Sequence, residues 1–180
     1  MLSFNNDPKI KQKYLERVQA HAKADEIIHG VYWQDGKGCA VGCTIHSDKH
    51  SAYETELGLP EWLARLEDTL FEHLPNERAQ RFPAQFLSAI PVGVDLATVK
   101  WQFCAFLLSE NIEQVLLLPV ADDVKSQVVA ALRTVLKIHQ DVIATGQWAD
   151  SAESAARSAA RSAAWSAAES AARSAAESAA

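Results

Sequence analysis

His29-Gly-Val-Tyr-Trp-Gln-Asp-Gly-Lys-Gly-Cys-Ala-Val-Gly-Cys-Thr-Ile-His46-Ser-Asp-Lys-His50 holds four of the chain's seven glycines, two of its three cysteines and three of its six histidines. Two local structures compete for it. Val31-Tyr-Trp33 favours extended backbone and Asp35-Gly36 is a hairpin turn pair, so a short β-hairpin near 31–45 is one reading. The other is a helix opened by Gly36-Lys37-Gly38, with Cys39, Cys43, His46 and His50 in line at steps of four, three and four. Gly42 and the β-branched residues count against the helix. An isolated hairpin is only marginally stable, and no third strand is visible nearby. The balance favours the helix.

Outward from this stretch the signals are helical. Asp7 caps and Pro8 opens a first helix with Ile10, Tyr14, Leu15 and Val18 on one face, and His29-Gly30 reads as its stop. His21 sits on the same stripe, as a core-edge histidine bonded to a neighbour. After Pro60, Trp62, Leu63, Leu66, Leu70 and Phe71 form an apolar face. Glu61, Arg65, Asp68 and Glu72 form its polar edge, read as solvated. Pro83 begins a short helix, and Asp95 caps an apolar one carrying Phe103, Cys104, Phe106 and Leu107. Ile112 to Val120 fits a strand or a buried helix. Asp122 or Asp123 starts a long helix that Gly146 ends.

From Ser154 the unit Ser-Ala-Ala-x recurs, with x being Arg157, Arg161, Trp165, Glu169, Arg173 and Glu177. Alanine makes this a strong helix former, with Glu153–Arg157 and Glu169–Arg173 as ion pairs four apart. Its small side chains permit close approach of a second helix, either within the chain or in a homo-oligomer. The expected fold is mainly α: a compact helical domain over 1–146 and an Ala/Ser-rich repeat helix over 147–180.

A net charge of −6 provides no basic field, so nucleic acid is not among the expected partners. No apolar run approaches the roughly 18 residues of a membrane span. Three cysteines without a disulfide framework, and no secretory signal, fit a cytoplasmic setting.

Three chemistries suit 29–50. Gly36-Lys37-Gly38 before a helix offers N–H groups and a cation, with Tyr32 and Trp33 as stacking surfaces, for a small polar or anionic ligand of phosphorylated or nucleotide-like type. Tyr32, Trp33, Gly36, Lys37, Gly38, Cys39 and Cys43 are its expected binding residues, and this is the preferred function. The alternative is a thiol- or metal-dependent enzyme. Cys39 at a helix N-terminus is then a nucleophile beside His29, His46 or His50, or His46 and His50 share a metal. Four ligands strung along one helix span about 16 Å, too far for one ion. A third reading is self-association through the C-terminal helix.

The run from His29 to Ser47, with Leu63-Ala-Arg-Leu-Glu-Asp68 and Phe86-Leu-Ser-Ala-Ile-Pro91, resembles a group of uncharacterised bacterial and phage-encoded proteins. Their tails are also alanine-rich. The resemblance implies a bacterial or phage source and a cytoplasmic setting, and it implies no activity.

Overall fold

The computed structural model describes residues 1–178, with side chains through Glu169 apart from Ser166. The fold is mainly helical. A 3-10 turn, Ser3–Asn6, precedes helix α1, Pro8–Lys23. A two-stranded hairpin follows, β1 at Trp33–Gln34 and β2 at Lys37–Gly38, leading into α2, Ala40–Ile45. A π turn at Tyr53–Leu57 leads to α3, Glu61–Glu72, α4, Asn76–Ala79, and α5, Phe82–Ala89. Three long helices complete the chain: α6, Val99–Leu117, α7, Asp122–Thr145, and α8, Ala152–Ser178.

Packing divides the chain into Met1–Ala97 and Thr98–Ala180. The sequence reading placed its boundary at Gly146, where a left-handed glycine ends α7. That residue is a helix stop inside the second unit, because α7 packs on both α6 and α8. The close approach of α8 uses the small residues the repeat supplies: Ala130, Ala131 and Thr134 of α7 lie opposite Ala159, Ser162 and Ala163. Trp165 is 76% exposed. The Glu153–Arg157 pair forms at 2.5 Å. The partner expected for Glu169, Arg173, lies outside the residues whose side chains are described. Ile112 to Leu117 continues α6 as helix rather than forming a strand. Cys104 there is half-buried.

The first unit holds the larger core, with Phe4, Tyr14, Tyr53, Leu57, Phe71 and Leu87 at or below 1% exposure. The chain start is sewn into it. Ser3 donates from its amide to the Val94 carbonyl at 2.9 Å and from its hydroxyl to the Pro91 carbonyl at 2.5 Å. Asp7 caps α1 as its position predicts, accepting from the Lys9 amide at 2.8 Å. The helix ends at Lys23, six residues before the expected stop at His29-Gly30. Asp25 takes a left-handed φ of 55° there. Beyond it Glu26–Ile28 runs extended, and two backbone bonds tie it to Gly38: Ile28 N–H to the Gly38 carbonyl, 2.8 Å, and Gly38 N–H to the Glu26 carbonyl, 3.1 Å. This isolated parallel bridge is a support the sequence did not reveal, and it braces an otherwise marginal two-stranded hairpin.

Candidate functional site

Both local readings of 31–46 are realised, in succession. Asp35 and Gly36 have φ of 51° and 82°, the doubly left-handed turn that Asp-Gly prefers, and close the hairpin with Trp33 opposite Gly38. Helix begins immediately after. Cys39 is its cap: its sulfur accepts from the Gly42 amide at 3.5 Å. The Cys39 amide donates to the Val31 carbonyl at 2.7 Å, holding the start of the hairpin against the start of the helix. A Cβ on Gly38 would lie 2.0 Å from the Tyr32 carbonyl oxygen. Gly38 thus has no room for a side chain beneath the backbone that crosses it.

The helix has six residues and stops at Ile45, where His46 takes a left-handed φ of 55°. The register that would align Cys39, Cys43, His46 and His50 ends with it. His50 lies beyond the helix, with its ring against Tyr32, whereas His46 packs against Trp33 and His21. Among the described residues no group of three or more His, Cys, Asp or Glu side chains is arranged to hold a metal ion.

A recess of about 200 Å³ opens where the crossing segment faces α3, lined by Gly30, Val31, Tyr32, Cys39, Asp68 and Glu72. The Gly30 amide donates to both Glu72 carboxylate oxygens at 3.1 Å. His50 Nε2 approaches an Asp68 oxygen at 3.6 Å, and its ring stands edge-on to Tyr32 with centroids 5.4 Å apart. Behind Asp68, Glu67 is fully buried and accepts from the Tyr53 hydroxyl at 2.5 Å. Three buried polar atoms in this cluster have no hydrogen-bond partner: His50 Nε2, Asp68 Oδ1 and Glu67 Oε1. Buried polar atoms are nearly always paired, so three such atoms in one cluster set it apart from the rest of the core.

Burial sets the protonation states. It pushes the Glu67 carboxyl up to about 8, helped by the Asp68 charge and opposed by the Tyr53 bond. It pushes the Cys39 thiol up to about 12; Asp68 adds to the shift, and the Gly42 amide only partly offsets it. The Tyr32 phenol is raised chiefly by the neighbouring Asp68 charge. Cys39 is therefore a protonated thiol at neutral pH, the reverse of an activated nucleophile.

The expected site residues divide among several places. Tyr32 and Cys39 line the recess. Lys37 borders a separate, wider hollow of about 600 Å³ with Asp25, His29, Glu77 and Gln80. Gly36 sits at the open turn, and Gly38 lies beneath Tyr32. Cys43 is buried, its thiol donating to the Gly38 carbonyl at 3.3 Å, and burial raises it to about 12. Trp33 and His46 stack on each other, 4.4 Å between centroids and 13° from parallel, beside His21.

The sequence offers no reading of Glu67, Tyr53 or Glu26 as site residues, and it places Asp68 only on a solvated edge. For Glu67 a signal existed: with Leu63, Ala64 and Phe71 it completes the buried stripe of α3, so a carboxylate stands on a core face. Leu70, assigned to that face, is 44% exposed instead. Comparison of the chain with protein-family profiles, curated proteins and solved structures returned no match.

Proposed function

We propose that the first unit binds a small polar ligand in the recess between Tyr32, Cys39 and Asp68, and that this ligand is a hydrogen-bond donor. The observation that carries the reading is Asp68, which lines the recess and whose buried Oδ1 has no hydrogen-bond partner. An unpaired buried polar group costs about 1–3 kcal/mol, so a guest that donates to Asp68 Oδ1 gains that much. Two carboxylates, Asp68 and Glu72, border the space. They favour hydroxyl or ammonium groups and repel phosphate, which turns the expectation away from an anionic ligand. Lys37, the cation of the anionic reading, faces the other hollow. A volume of about 200 Å³ suits a compact polyol or amine better than a nucleotide.

Binding is favoured over thiol catalysis because Cys39 keeps its proton. Its sulfur contributes a polarisable, neutral wall.

The test is thermal denaturation against ethanolamine, putrescine, erythritol and inorganic phosphate, repeated with Asp68→Asn. A ligand of the donor class raises the melting temperature by mass action, and Asp68→Asn weakens it by about 1–3 kcal/mol. Stabilisation by phosphate alone, unaffected by Asp68→Asn, defeats the proposal.

A further inference from the structure

In the first unit three side chains outside the recess lining form a chain of short contacts. Glu26 Oε2 lies 2.6 Å from His21 Nδ1, and His21 Nε2 lies 2.8 Å from His46 Nε2. The rings of the two histidines are perpendicular, 86° apart, with centroids 5.0 Å apart, so their Nε2 atoms meet head-on.

A neutral imidazole has one donor and one acceptor nitrogen. The Glu26 carboxylate takes the Nδ1 proton of His21, which leaves a lone pair on His21 Nε2. His46 must then donate from its Nε2, and its Nδ1 becomes the site of the next proton. That first added proton leaves the contact intact and makes it charge-assisted. A second proton has only His21 Nε2 to occupy, the very atom that accepts. Two N–H groups then point at each other across 2.8 Å, and the rings must part.

We propose that His21 and His46 form a proton-operated clasp that holds the β1 segment down on α2 and opens when both rings are charged. His21 is anchored by Glu26, so His46 is the ring that swings. It stands exposed at the left-handed end of α2. Trp33 is stacked on His46 and edge-on to His21 at 5.5 Å, so it loses its platform when they separate. The neighbouring Tyr32 is a wall of the recess. Acid thus loosens that wall, a consequence that rests on the recess being the binding site, whereas the clasp itself does not.

The charged groups around the clasp set where it opens. Arg17 and His21 on α1 disfavour charge on His46, whereas Glu26 and Glu56, from the loop before β1 and from the π turn, favour it. Desolvation is the largest single influence, and His46 titrates below its ordinary value. Arg17 is held in place by donating to the Thr44 carbonyl at 2.8 Å. Charging His46 thus takes more acid than charging an ordinary imidazole.

The test uses the full chain without ligand. Amide exchange protection, corrected for intrinsic rates, is measured for residues 33–38 at about pH 7.5 and about pH 5, with 15N spectra of the imidazoles reporting their charge. Protection falls by roughly tenfold, the equivalent of one pKa unit of coupling, as the second ring becomes charged, while α3 amides keep theirs. In His46→Gln, whose side chain donates at every pH, protection of 33–38 does not change. Both rings charged with protection intact, or protection lost while a ring is still neutral, overturns the proposal, and so does an undiminished loss in His46→Gln. The wild-type measurement decides alone if that variant fails to fold. Failure of the recess to bind any probe leaves these readings unchanged, so the two ideas fall separately.

Discussion

The carbonyl oxygen of Tyr32 stands 1.5 Å from where a Cβ on Gly42 would begin. The backbone of the crossing segment and the backbone of α2 touch, with no side chain between them. Gly42→Ala therefore forces the two apart. The expected loss is about 3 kcal/mol or more, in the upper range for single substitutions, read from urea unfolding. Gly36 is the control. Its φ of 82° strains an alanine, yet nothing lies within 4 Å of the added carbon. Gly36→Ala costs about 1 kcal/mol. Equal costs for the two would mean that the crossing is looser than it stands here.

Glu67 makes stability depend on pH in a defined direction. Its carboxyl titrates near 8 when folded and near its ordinary 4.5 when unfolded. Between those values the unfolded chain gives up a proton that the folded chain keeps. The group's contribution is whole below 4.5 and is lost as pH rises through about 8. Unfolding free energy of the wild type thus declines across that window relative to Glu67→Gln, which cannot ionise. Parallel curves for the two proteins would place the proton elsewhere, on the Tyr53 side of the bond.

The thiols rank by exposure, not by helix position. Cys39 and Cys43 are buried and both are raised to about 12. Cys104 is half-buried. Alkylation of the folded protein at about pH 7.5 modifies Cys104 first, and Cys39 and Cys43 only as the first unit opens. Fast labelling of Cys39 would restore the nucleophile reading.

The packing boundary after Ala97 carries its own expectation. The first unit closes its own core and ties its two ends together through Ser3 with Val94 and Met1 with Asp95. A chain ending at Ala97 folds, keeps the dispersed amide spectrum of the first unit and keeps whatever ligand response the full chain has. A chain ending at Gly146 keeps the first unit but weakens α6 and α7, because α8 is stripped from α7. Loss of the first unit's fold on removal of 98–180 would refute the division.

Some of this was local enough to be read along the chain. Asp7 before Pro8 caps a helix because its carboxylate reaches an amide two residues away. Asp35-Gly36 turns the chain because both residues tolerate positive φ. The alanine repeat is helical because it has little else to do. In each case the deciding interaction spans fewer than five residues, so adjacent letters contain it.

The site was not local. Whether 37–46 was hairpin or helix could not be decided by propensity, since Glu26–Ile28 pairs with Gly38 and Tyr32 lies across Gly42. Those contacts end α1 early and divide the stretch between both structures. Asp68 looked like one more solvated charge on the edge of α3. Only the fold sets it between Tyr32, Cys39 and His50, and buries Glu67 behind it. Composition and periodicity determined that this chain is helical and where its caps lie. Which carboxylates leave water, and so which groups hold or give up protons, depends on desolvation by residues distant in sequence, and that was decided by tertiary packing alone.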